Sequence, residues 1–402
     1  MPPRYLDARR AAGQGYRMSS YLRFSLFFAA FYSSMGVSTP FLAVWFDYRG
    51  LSAAQIGLVF AAGMTMKVVF TLLAGQLADQ VTRKRDLITA ILALVALLMA
   101  GQHFAPSFVP ILVLSALATA LQAAVVAITD ATTLATARSG AFAYSQVRAW
   151  GSAAFLVVAL ALGPILQASG PEPIVLIMAA LVAAAVLASR GLIDAPTAAR
   201  PATRPDLGEM LRGFIGLLRI PALRRLYLTA ALLQNAHIFY YAFSSLHWQK
   251  MGLSKEQIGV LWAEGVVFEI ILFAVVPRIG FLRRPVALLM IAGAAGLLRW
   301  SVLGTTAEFN SLLLVQALHA LTFGAVHLGS MQLLSECSPP GTSARAQGLY
   351  AALPLGIGSG IAYMLVGPLY AAVGGAGFYA MAALSVAGAV MAYGLRHRQA
   401  PQ

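Results

Sequence analysis

The sequence predicts an all-α membrane protein with twelve transmembrane helices in two pseudo-symmetric six-helix bundles. Three observations lead there. The chain of 402 residues is 59% hydrophobic and only 10% charged, whereas soluble domains carry about 25% charged residues. Apolar runs of about 20 residues, the length that crosses ~30 Å of hydrocarbon, recur from end to end. Finally, the phrase GLSAAQIGLVFAAGMTMKVVF, beginning at Gly50, returns as GLSKEQIGVLWAEGVVFEIIL at Gly252, 202 residues later.

A basic N-terminal arm leads into the first run at 21–46. No cleavable signal peptide is expected before it, so this run should remain in the membrane. Runs at 53–78, 86–104, 108–135, 142–168 and 172–192 complete the first bundle, 1–192. Residues 193–222 interrupt the pattern. Their first half is rich in Pro, Ala, Thr and Arg and is expected to be a cytoplasmic linker, while 207–218 is amphipathic and suits a short helix on the membrane surface. The second bundle, 223–402, has runs at 224–248, 256–277, 285–304, 309–336, 343–370 and 375–395. The repeated phrase occupies the second run of each half, so both copies cross the membrane in the same direction. Parallel repeats of this kind describe the major facilitator architecture, in which substrate binds near the midplane between the halves.

The net charge of +14 does not call for nucleic acid. Of the 28 Lys and Arg, all but six fall in segments that are cytoplasmic if the N-terminus is; the exceptions are external Arg49, Lys250 and Lys255 and intramembrane Lys67, Arg148 and Arg299. That asymmetry follows the positive-inside rule and implies contact with anionic lipid. The chain is therefore expected to be a multi-pass protein of a bacterial inner membrane, with both termini cytoplasmic. One cysteine, Cys337, excludes an internal disulfide. No nucleotide-binding loop, metal-ligand spacing or nucleophile–base pair is present, so neither an enzyme nor an ATP-driven pump is expected, and no cofactor or metal beyond a coupling proton.

Two kinds of residue carry functional information. GQLADQVTRKR at 75–85 resembles the major facilitator loop motif, Gly-x-x-x-Asp followed by a basic cluster. The resemblance implies a gating role for Gly75, Asp79, Arg83, Lys84 and Arg85, with Gly75 allowing close helix packing. Gln80 and Thr82 depart from the usual pattern of that loop. The other kind is ionisable groups inside spans, which are costly there and mark pathways or pairs. Lys67, 12 residues before Asp79, lies roughly 18 Å from the cytoplasmic edge; its counterpart in the repeat is Glu269. A two-fold relation would place them across one central cavity, either handling substrate and proton or bridging the halves. Asp130 in span 4 and Arg148 in span 5 form a second opposed pair. Glu264, Glu269, Arg299, His319 and His327 form a third group, suited to proton coupling because one group titrates while its neighbours set when. His237, Tyr241 and Trp262 are further cavity candidates, in keeping with the aromatic richness of span 7.

The stretches LLQNAHIFYYAFSSLHWQKMGLSKEQIGVLWAEGVVFEIILFA (232–274), LLRWSVLG (297–304), ALHALTFGAVHLGSM (317–331), TDA (129–131) and VRAWGSAAF (147–155) resemble the lactose-permease-like, proton-coupled branch of the major facilitators. The resemblance implies that Asp130 and Arg148, with Trp150 beside them, grip substrate and that Arg299 and His319 take part in proton coupling. Thr322 stands where that branch's permease has its coupling carboxylate, and Val266 where it has a span-8 glutamate. Aromatic-acid transporters of the branch carry a glutamate at the place of Glu269 and a cation at that of Lys67. The expected function is thus uptake of a small organic solute with protons by alternating access, most simply a phenylpropionate-like aromatic carboxylate, by a monomer in contact with membrane lipid. A nucleoside or oligosaccharide symporter, a proton-coupled exporter, and a non-transporting membrane sensor or assembly factor are the other readings.

Overall fold

In the computed structural model the backbone is described for residues 3–138, 140–194, 207–280 and 284–396. The described chain is helical, and the helices form twelve spans. Spans 1 to 6 are Pro3–Tyr48, Ala53–Gln80, Lys84–His103, Phe108–Arg138, Tyr144–Ser169 and the shorter Ile174–Ser189. The amphipathic helix Leu207–Arg219 follows; linker residues 195–206 lie outside the described residues. Span 7 is broken into Pro221–Asn235 and Ile238–Lys250. Spans 8 and 9 are Lys255–Val275 and Pro285–Thr305. Span 10 runs from Phe309 to Cys337 with a π-helical segment at Ala320–Ala325, and span 11 from Ser343 to Val373 with another at Leu353–Gly358. Span 12 is Phe378–Tyr393.

The repeated phrase explains how two of these helices begin. Gly50 and Gly252 hold φ of +78° and +99°, a left-handed turn that glycine enters without penalty. Ser52 and Ser254 then cap spans 2 and 8, each accepting from the backbone N–H of Gln55 or Gln257, whose side chain accepts from the serine N–H in return. These are reciprocal capping boxes.

The same phrase also fixes how the halves meet. A Cβ on Gly57 of span 2 would lie 2.6 Å from the Tyr363 carbonyl of span 11, and one on Gly367 would lie 2.5 Å from the Ala53 carbonyl. In the symmetry-related crossing, Gly259 of span 8 meets the Ala159 carbonyl of span 5 at 2.6 Å, and Gly163 meets the Lys255 carbonyl at 2.6 Å. The helices therefore approach backbone to backbone, as small residues allow in lipid. Hydrogen bonds across the halves gather at the same end of the molecule, opposite the termini. Lys255 Nζ donates to Leu166 O at 2.6 Å, and Lys250 pairs with Asp47 at 3.2 Å. Both members of that pair are exposed, so it adds little.

The apolar core follows this contact and does not divide at the linker. One buried cluster runs from Phe24 and Phe46 through Phe60 to Tyr363 and Phe378. A second, from Leu217 to Leu395, fills the termini end of the second half. Gly75, expected to pack closely against a neighbour, faces open space instead. Span 2 uses its other end for close packing, which is the physical reason that glycine is not needed there. Asp79 is helical, but its side chain lies outside the described residues. Arg83 and Arg85 approach Asp86 at 3.9 and 3.3 Å, and the Arg85 N–H donates to Asp194 at 2.9 Å.

Replacing Gly57 with leucine should disfavour this closed crossing. Overpacking costs about 1–3 kcal/mol, a shift of roughly 5–150-fold between states. In a Cys337→Ser background, a Tyr363→Cys thiol should react faster with a membrane-impermeant reagent when Gly57→Leu is added; an unchanged rate would show that the crossing does not set the state.

Candidate functional site

Two polar layers occupy the interior. The first is centred on Arg148, whose guanidinium carbon lies 3.8 Å from the Tyr32 ring centroid and 5.9 Å from that of Phe28. A Cβ on Gly151 would lie 2.8 Å from the Tyr32 ring and 3.0 Å from an Arg148 nitrogen, so glycine one turn on leaves room for the stack. Arg148 is within electrostatic reach of two carboxylates, Asp130 in its own half and Glu269 in the other. Asp130 accepts a 3.0 Å hydrogen bond from Tyr144 Oη. No ion pair within 4 Å joins these groups among the described residues. Glu269 lies against span 10, its Cγ 3.7 Å from where a Cβ on Gly324 would be. All four of Lys67, Asp130, Arg148 and Glu269 are partly buried.

The second layer is dry. Arg299 has no exposed surface, yet no carboxylate pairs with it. Its Nη1 donates to His319 Nδ1 at 3.2 Å and to Thr322 Oγ1 at 3.1 Å, and its Nη2 donates to Gln316 Oε1 at 2.8 Å. Its charge is further spread over two rings, Tyr240 at 4.6 Å and Trp300 at 4.4 Å. Gln316 is held in turn, its Nε2 donating to Tyr240 Oη and Leu261 O, both at 2.9 Å.

Donor–acceptor logic fixes the protons here. Arginine only donates, so His319 Nδ1 accepts and its proton resides on Nε2. His237 Nδ1 faces the Gln234 carbonyl at 3.2 Å and must donate, so its Nε2 accepts from Thr322 Oγ1 at 3.0 Å. Thr322 thus relays between Arg299 and His237. Backbone irregularity supports the arrangement. Thr322 sits in the π segment of span 10, and His237 at the break in span 7. Asn235, beside that break, donates to Pro354 O at 3.3 Å and accepts from Ser359 at 2.8 Å, tying it to the π segment of span 11. Such segments cluster at functional sites.

With this geometry in view, comparison with known proteins is decisive. The profile of the MFS_1 like family matches residues 21–381. The chain belongs to that family. This transporter is 31% identical over 369 residues to the probable 3-phenylpropionic acid transporter of Escherichia coli (strain K12), covering 90% of this chain and 94% of that one. It is 26% identical to the maltose permease of Geobacillus stearothermophilus, over 84% of each chain. Its fold superposes on a mutant form of the nucleoside transporter NupG with a TM-score of 0.81 at 16% identity, covering 94% of this chain and 100% of that one. A D-xylose-proton symporter superposes at 0.71 and 12% identity, covering 94% and 97%. The protein is therefore a multi-pass secondary transporter of the major facilitator class, and not an enzyme.

The transporter groups its charges differently from the sequence expectation. Glu269 is not among the hydrogen-bonding or ring partners of Arg299; the cation in its reach is Arg148. Lys67 makes no ion pair with Glu269. Val68 beside it packs against Gly356, and Thr65 against Gly360, so this stretch of span 2 rests on span 11, whereas Glu269 rests on span 10. Glu264 has an oxygen, Oε2, that is buried without a hydrogen bond. Trp150 is 49% exposed and donates to Tyr21 Oη at 2.8 Å, about 200° around its helix from Arg148. His327 is exposed and about 12 Å along span 10 from His319. Trp262 donates to Ser245 at 2.8 Å, and Tyr241 stacks against both Trp262 and His237. Sequence reasoning missed Gln316 and Tyr144 as members of these layers. Gln316 had a visible signal, an amide three residues before His319 within an apolar run; Tyr144 had none.

Replacing Thr322 with valine should leave a buried charged donor underused and a histidine acceptor unpaired, at a cost of about 1–3 kcal/mol. Thr322→Ser should restore most of it. Thermal unfolding in detergent checks this; equal midpoints for the parent and Thr322→Val would contradict the relay.

Proposed function

We propose that the protein imports an aromatic carboxylate together with protons across the bacterial inner membrane, acting as a monomer with both termini cytoplasmic. The observation that carries this reading is the Arg148 layer: a guanidinium stacked on Tyr32, within electrostatic reach of Asp130 and Glu269 and in a close ion pair with neither. A planar guanidinium is suited to a carboxylate, and the surrounding rings of Tyr32, Phe28 and Tyr144 to an aromatic body. Lys67 adds a second cation. The similarity to a probable 3-phenylpropionic acid transporter supports the same substrate class. Likeness to the nucleoside and xylose transporters speaks for the fold alone.

The mechanism follows from competition for Arg148. In the empty site Arg148 is the cation within reach of Glu269. An arriving carboxylate takes the guanidinium, and Glu269, left in a poorly hydrated site, binds a proton. Substrate and proton then favour each other's binding, as linkage requires. The bundles 1–192 and 223–402 exchange the closed glycine crossings for an open form by rocking about this layer.

The test is uptake of 3-phenylpropionate and its neutral amide by proteoliposomes under a proton gradient directed inward. The parent should accumulate the acid and not the amide. Glu269→Gln should exchange the acid across the membrane but fail to accumulate it. Accumulation by Glu269→Gln equal to the parent's would remove Glu269 from the mechanism, and equal handling of acid and amide would remove the carboxylate.

A further inference from the structure

We infer that an anionic phospholipid binds, through its phosphate, in a cavity of about 220 Å³ at the termini end between spans 7 and 12. The cavity is lined by Pro221, Ala222, Arg224, Arg225, Leu228, Met391 and Leu395, from the first two turns of span 7, the last turn of span 12 and the turn that follows it. It lies well away from the polar layers of the transport site.

Its chemistry is divided as a phospholipid's is. Two exposed arginines stand at one edge. Arg225 is held there by donating from Nη1 to Gly394 O at 2.6 Å; a Cβ on Gly394 would lie 2.8 Å from that nitrogen, so glycine leaves space for the guanidinium. Among the described residues this bond is the one that Arg225 makes, which leaves the rest of its fork to a ligand. Arg224 makes no hydrogen bond or ion pair with another described residue. Arg219, two residues before Pro221, adds a third cation nearby. The remaining wall is apolar, with Leu228 51% exposed toward the surface that hydrocarbon covers. Among the described residues, no carboxylate lines the cavity.

Size decides against a transported solute. Sites that enclose drug-sized molecules occupy about 300–1,000 Å³. A smaller notch, cationic at its rim and apolar beneath, suits a headgroup whose acyl chains remain in the bilayer. Basic pockets between membrane helices on the cytoplasmic side recognise anionic headgroups in this way. The surface helix Leu207–Arg219 runs directly into this corner, and its Leu217 is buried in the second-half core, so a lipid here would pin that helix and span 7 to the inner leaflet.

The experiment is native mass spectrometry of the full-length protein in detergent, titrated with phosphatidylglycerol, phosphatidylcholine or inorganic phosphate. The parent should retain one phosphatidylglycerol in preference to phosphatidylcholine. Arg224→Gln, at an exposed site with no protein partner, should weaken that retention about fivefold. Ala222→Trp fills the cavity without altering charge and should remove the same adduct. If both variants hold phosphatidylglycerol as the parent does, the site is refuted. If inorganic phosphate displaces the lipid at equal concentration, the cavity is a soluble-anion site and the lipid assignment falls.

Discussion

The close approach of backbones at Gly57–Tyr363 and Gly259–Ala159 governs the architecture. Between helices in lipid there is no hydrophobic drive to associate, since the tails are as apolar as leucine side chains, and contact rests on packing of small residues. Each crossing places a glycine against a carbonyl with no space for a methyl group. Both crossings lie at the end opposite the termini, so the halves are joined there. The partly buried charges of the Arg148 layer lie deeper, toward the other end. The repeat therefore supplies both the symmetry of the chamber and the seal on one side of it.

The two polar layers handle charge in different ways, and the difference assigns their tasks. Arg299 is dry and surrounded by neutral acceptors and ring faces, with every neighbour positioned by a second partner. A buried charge held by both Nη groups, even with its Nε unpartnered, is a fixed point, costly to disturb. Arg148 is partly buried, stacked on one side, and within electrostatic reach of two carboxylates on opposite halves, with an ion pair to neither. A coupling site needs a cation whose partners can change, whereas a dry network of fixed tautomers provides the rigid wall against which that change occurs.

Much of the fold was legible from the sequence, for definable reasons. The apolar runs and the 202-residue repeat set the span count and direction, because length and composition suffice for both. The repeat also contained its own capping chemistry, Ser52 with Gln55 and Ser254 with Gln257, though it is recognisable only once the helix starts are known. The breaks in spans 7, 10 and 11 were not legible, since the scattered polar residues of LLQNAHIF and ALHALTFGAV lie within long, mainly apolar runs and periodicity does not register one inserted residue. Within the site, counting residues along a helix gave depth but not azimuth. Membership of neighbouring spans grouped Arg299 with Glu269, and chain proximity put Trp150 beside Arg148 although it points away. Contacts between halves, such as Gly57 with Tyr363 and Gly259 with Ala159, are set by tertiary rotation that no single helix encodes.

The central claim is that a carboxylate displaces Glu269 from Arg148, so that substrate binding itself takes up a proton. Calorimetric titration of the purified protein with 3-phenylpropionate, in buffers of widely different ionisation enthalpy at one pH, measures this directly. The account predicts that the observed heat varies with buffer in the sense of net proton uptake, and that the variation disappears in Glu269→Gln. Binding heats independent of the buffer in the parent would contradict it.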